Sequence, residues 1–333
     1  MTVEERSTQR NFALNFLANS GPACANFVAA SLVQLLATVT KLGWMDLEVC
    51  GNRACLALAP PSLRPRYQLC IQPPSHPPLS SLVVCVLSLS EPQDHQSVLH
   101  EVGQFLRATP SHLVLGLQIL HQLVVEMNTV SNTRSLAQHR KVAGSFRDGC
   151  LYQVYKISLE TLQRLKSGQI PASDAERGRI QEHSLHLALV CLGYDFIGTT
   201  LDEASEELGT VQVPSTWRPT LEDPATMATY FDAFAEGSDA SRFALEVLVA
   251  FGSLRRSLFS SDDERQAFLF RMMSGTLHIL NTQCGLSDHD NYHELCRLLA
   301  RLKANFQLSE LVQCSNYAEW IAMVATFTVD SFK

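Results

Sequence analysis

The chain has 333 residues, 46% hydrophobic and 18% charged, with 26 Lys and Arg against 33 Asp and Glu. That length holds about two ordinary domains or one elongated repeat array, with a large buried surface. A formal charge of −7 and a pI near 5.9 disfavour nucleic acid and anionic membrane as partners and favour basic ones. The opening MTVEERSTQR is charged and unlike a secretory signal, and the apolar run FVAASLVQLLATVT, interrupted by Gln34, falls short of the roughly 18–20 residues of a membrane span. No membrane insertion is expected. The 10 cysteines show no framework spacing, so reduced thiols and a cytosolic or nuclear compartment are expected.

Residues 1–48 are expected to form a first helix pair. Within it Phe27, Val28, Leu32, Leu35, Leu36 and Val39 recur at steps of three and four, which predicts one apolar face. Residues 49–94 break the pattern. The stretch 49–92 carries eight of the 14 Pro and four of the 10 Cys, and no Asp or Glu lies between Cys50 and Ser90. Each Pro removes an N–H and fixes φ, so this is read as a poorly ordered Pro/Cys-rich insertion, with room for one short element at Leu82–Leu89.

From 95 to 333 helical stripes resume. Val98, Leu99, Val102, Phe105 and Leu106 form one, and Leu113, Leu117, Leu120, Val124 and Met127 the next. The pattern returns near 148–166, 176–192, 223–235, 239–253, 262–282, 289–304 and 316–331. Breakers fall between stripes at Ser20-Gly21-Pro22, Thr109-Pro110, Ser167-Gly168, Gly237-Ser238 and Gly285. This predicts an all-α chain of antiparallel helix pairs, each covering its neighbour's apolar face: a HEAT-like α-α superhelix, or solenoid, with a closed bundle as the alternative. Residues 194–222 read as a long loop carrying the acidic cluster Asp202, Glu203, Glu206 and Glu207.

The stretch CGLSDHDNYHELC, Cys284 to Cys296, raises a metal question. His289, His293 and Cys296 sit at i, i+4 and i+7, a spacing that can put three zinc ligands on one helix face. Yet Cys296 also belongs to the apolar stripe Tyr292, Leu295, Leu299, Leu302 and Phe306. Ser287 reads as an N-cap, and Asp288 and Asp290 suit the positive end of the helix dipole. An ordinary helix start explains every residue, so no metal and no cofactor are expected. A hydrolase lacks support too: no G-x-S-x-G elbow is present, and His100/Glu101, His121/Glu126 and His183/His186 lie on or beside helical stripes.

Several runs go beyond pattern. HRKVAGSFRD (139–148), YDFIGTTLDEASEELGTVQVPSTWR (194–218), RRSLF (255–259) and LSDHDNYHELCRLLARLKANFQLSELV (286–312), with KLGW (41–44) and ATFTVDSF (325–332), closely resemble the exportin-7 and Ran-binding protein 17 family of importin-β-type nuclear transport receptors. The resemblance runs from about Arg10 to the end, apart from the Pro-rich segment. It implies a non-enzymatic HEAT-repeat receptor that shuttles between nucleus and cytoplasm through the nuclear pore. Its implied partners are Ran-GTP, protein cargo and phenylalanine-glycine nucleoporins. The rival readings are a HEAT-like adaptor without Ran binding and a zinc- or cysteine-dependent hydrolase.

The chain departs from the family in three respects. Family members are longer, and this chain is expected to begin after the repeats that usually grip Ran and to end on a helix, 316–332, whose stripe Trp320, Ile321, Val324 and Phe327 lacks a following partner. Residues 49–92 have no family counterpart, which suggests translated intron. The family pattern keeps NYHE and the following Cys, but not His289 or Cys284. Partner-contact candidates are, by charge, Asp202, Glu203, Glu206 and Glu207, and among cations Arg140, Lys141, Arg147, Arg255 and Arg256. For the cations, a role as loop donors to helix C-termini competes with partner contact.

Overall fold

The computed structural model describes residues 2–45, 96–130, 135–196 and 210–330. The Pro/Cys-rich segment 49–94, with the short element expected at Leu82–Leu89, lies outside these residues. In chain order the helices are α1 (Val3–Ser20), α2 (Asn26–Gly43), α3 (Gln96–Phe105), α4 (Pro110–Asn128), α5 (Leu136–Phe146), α6 (Tyr152–Lys166), α7 (Asp174–Leu192), α8 (Arg218–Glu222), α9 (Pro224–Ala235), α10 (Ser241–Gly252), α11 (Asp262–Thr282), α12 (His289–Asn305), α13 (Leu308–Gln313) and α14 (Tyr317–Asp330). The fold is all-α: among the described residues the one β feature is an isolated parallel bridge between Val211 and Leu254.

Local chemistry sets many of the boundaries. Thr2 and Glu5 close a capping box at α1, and Thr109, Ser135, Asp223, Ser261 and Asp288 each accept from a backbone N–H in the first turn of α4, α5, α9, α11 and α12. The cap of α12 is therefore Asp288 and not Ser287. Asp288 Oδ1 lies 2.9 Å from Asn291 N, and a carboxylate is the stronger acceptor at a positive helix end. α5 was not anticipated as a separate helix. A π-helical turn, Arg147–Leu151, carries it directly into α6, so the Gly149 position does not break the run.

The described residues divide into two compact units, Met1–Ser158 with Gly168–His183, and Leu159–Ser167 with Ser184–Lys333. In the first, α1 packs on α2, α2 on α4, and α3 on α4. Small residues permit the close approach: a Cβ on Gly21 would meet Leu115 at 2.7 Å, and one on Gly116 would meet Leu106 at 2.8 Å. Here the expected face of α2 holds only in part: Leu36 and Val39 are buried and Val28 and Leu32 half-buried. Its buried residues are Ala29, Val33, Leu36, Ala37, Val39, Thr40 and Lys41, while Phe27 is 75% exposed and Leu35 also faces solvent. α2 carries apolar residues on more than one side, and its buried side includes Ala29 and Ala37, which the stripe left out. By length and composition alone α2 also qualifies as a membrane span, contrary to the sequence estimate, with 39% of that window buried inside the protein.

In the second unit, contacts step by one and by two along the chain, except that α11 reaches α14 past the short α13. α9 packs on α10 and on α11, α10 on α12, and α11 on α14. Such a pattern arises when one helix pair stacks on the next, first helix against first and second against second. The core is aromatic: Tyr230 meets Phe251 at 5.4 Å, Phe251 stacks on Phe268 at 6.3 Å, and Phe259 meets Phe268 edge-on at 5.1 Å. Leu295, Leu298 and Leu302 of α12 are fully covered, each worth about 1.5–3 kcal/mol. On α14, Trp320 is buried and donates from Nε1 to Thr276 Oγ1 at 2.9 Å, and Phe327 lies 5.1 Å from Tyr292. The stripe expected to lie open is thus partly covered; Ile321 is its exposed member.

Candidate functional site

The candidates were chosen by charge, and the fold treats them unevenly. Asp202, Glu203, Glu206 and Glu207 lie outside the described residues. The segment that follows them is packed, not a loop as expected over its whole length. Val211 N donates to Ser253 O at 2.9 Å, Arg255 N donates to Val211 O at 3.3 Å, and Trp217 is buried with Phe196 edge-on at 5.6 Å. Burying an indole overrides the polar composition around it. The described chain after them is clamped at Val211, against the backbone of Ser253 and Arg255.

Arg140 and Lys141 are exposed on α5, in the middle of a helix rather than in a loop. Arg147 lies in the π turn and makes a 2.8 Å pair with its neighbour Asp148. In the second unit, Arg255 and Arg256 precede α11, and Arg256 Nη2 holds Asp262 Oδ1 at 2.7 Å. Arg140, Lys141 and Arg256 keep exposed cationic surface.

The helix ends are closed by residues that charge pattern did not single out. Lys41, 3% exposed, donates from Nζ to Glu126 O and Thr129 O, both at 2.6 Å, with the Glu126 carboxylate at 3.6 Å. Arg265, equally buried, donates to Glu310 at 2.8 Å and to Asn305 O at 2.8 Å, and its guanidinium stacks on Phe306 at 4.1 Å. Asn305 Nδ2 in turn reaches Gly252 O and Leu254 O at 3.0 and 2.8 Å. The available signal was position: Lys41 sits in the last turn of an apolar helix, and Arg265 between Ala267-Phe268-Leu269 and an acidic first turn.

The titrating groups read as structural. His183, beside Gln118 at 3.0 Å, is pushed down to about 4, chiefly by burial and then by His121 and Arg179. Burial pushes Cys150 up to about 12 and Cys191 higher still, which holds both as inert thiols. Burial also raises Glu101, against the pull of Arg10. The zinc constellation does not converge: the side chains of His289 and His293 are 94% and 63% exposed, Cys284 is exposed and Cys296 is half-buried. Among the described residues no three His, Cys, Asp or Glu side chains come together as a metal site.

No protein-family model matches the chain. Individual proteins do. It is 36% identical over 334 residues to Exportin-7-A of Xenopus laevis, covering 100% of this chain and 27% of that protein. Ran-binding protein 17 of Homo sapiens is 35% identical with the same coverage, and Ran-binding protein 16 of Drosophila melanogaster is 36% identical over 337 residues, 99% of this chain and 27% of the relative. The chain is homologous to the exportin-7 and Ran-binding protein 16/17 family along its whole length. It spans about a quarter of the length of the relatives it matches. The homology agrees with the runs quoted above, of which parts fall on α5, α12 and the clamped segment before α8.

Proposed function

We propose that this chain serves nucleocytoplasmic transport as part of an exportin-like receptor that binds Ran in its GTP form together with protein cargo. The observation that supports it is identity of 35–36% along the whole chain to proteins named as an exportin and as Ran-binding proteins. The physical chemistry is compatible. Stacked helix pairs contact only near neighbours within each unit, so a small change of packing accumulates and two ligands can be coupled by about 1–3 kcal/mol. An acidic chain suits a basic partner surface. Asp202, Glu203, Glu206 and Glu207 are proposed as contacts to basic groups, and Arg140, Lys141, Arg147, Arg255 and Arg256 as contacts to acidic ones. Contact with phenylalanine-glycine nucleoporins and shuttling between nucleus and cytoplasm belong to the same proposal.

A second reading is a HEAT-like adaptor that binds protein without Ran. Pull-down with Ran loaded with a non-hydrolysable GTP analogue, against Ran-GDP, separates the two. Retention of the GTP form alone supports the receptor reading, and retention of neither supports the adaptor.

A further inference from the structure

We draw no further inference here: the strongest candidate, the exposed apolar patch that Phe12 of α1 and Phe27 and Leu35 of α2 leave on the first helix pair, carries none because nothing in the structure shows what covers it.

Discussion

Among the described residues each unit buries a cation at a helix C-terminus, Lys41 in the first and Arg265 in the second, and the two do it differently. In the first, the Lys41 ammonium acts as a point charge shared by two carbonyls at the end of α4, with a carboxylate standing further off. In the second, the Arg265 guanidinium is split between a carboxylate and a carbonyl and lies flat on an aromatic ring. A lysine suffices where the acceptors are carbonyls of one frayed end. A planar fork is needed where two elements, α12 and α13, must be held in register.

The comparison makes Arg265 the more sensitive site. Arg265→Ala leaves Glu310 half-buried without its cation, orphans the Asn305 carbonyl and removes a stacking surface. It should cost about 3–5 kcal/mol by urea denaturation, and Arg265→Lys should recover less than half, because an ammonium cannot keep both bonds and the stack. Lys41→Met keeps the packing and loses two carbonyl bonds, for about 2–3 kcal/mol. Equal losses at the two sites would break the distinction drawn here. Close packing gives a third test in the second unit. A Cβ on Gly275 would meet ring atoms of Phe231 at 2.3–2.5 Å, so Gly275→Ala should cost about 1–3 kcal/mol as the ring is displaced.

A pH titration probes the first unit. His183 has a folded pKa near 4, below its ordinary 6.5, so the unfolded chain binds the extra proton first. Its contribution is fully present above about pH 6.5 and is lost as pH falls towards 4, by up to about 2–3 kcal/mol. His183→Gln should flatten that slope while keeping the bond to Gln118; an unchanged slope would show that other groups set it. The smallest effect expected is a gain. Gln283 caps α11 at φ 50°, in the left-handed region, so Gln283→Gly should stabilise by a few tenths to about 1 kcal/mol.

The helices of the second unit were legible in the sequence because their faces are distinct. α12 carries buried leucines at 295, 298 and 302; the periodicity named Leu295 and Leu302 but took the half-buried Leu299 in place of Leu298. α2 was legible only in part: apolar residues on more than one side blur its face, so Leu36 and Val39 were read correctly while Phe27 and Leu35 were not. α5 was missed because His139 and Val142 form a short stripe, and the π turn that joins it to α6 shifts the register midway. The closing residues Lys41 and Arg265 were hidden for a different reason. Charge along a sequence reads as solvated surface, and only the three-dimensional position of an unsatisfied carbonyl turns it inward. The exposed cations chosen by charge alone remain proposals of contact.

The insertion poses a question of gene structure as much as of folding. We propose that residues 49–92 are dispensable for the first unit. Transcript reads that splice out their codons, or a deletion variant that melts with the parent chain, would support this. Uniform read coverage together with collapse of the deletion variant would reject it.

We propose that this stacked-helix chain distinguishes the nucleotide states of Ran. Calorimetric titration of the purified chain with Ran carrying a non-hydrolysable GTP analogue, and separately with Ran-GDP, measures that directly. Saturable binding of the GTP form, weakened at least tenfold with GDP, is the predicted result. Equal affinity for both forms, or binding to neither by a chain with cooperative helical unfolding, would contradict it.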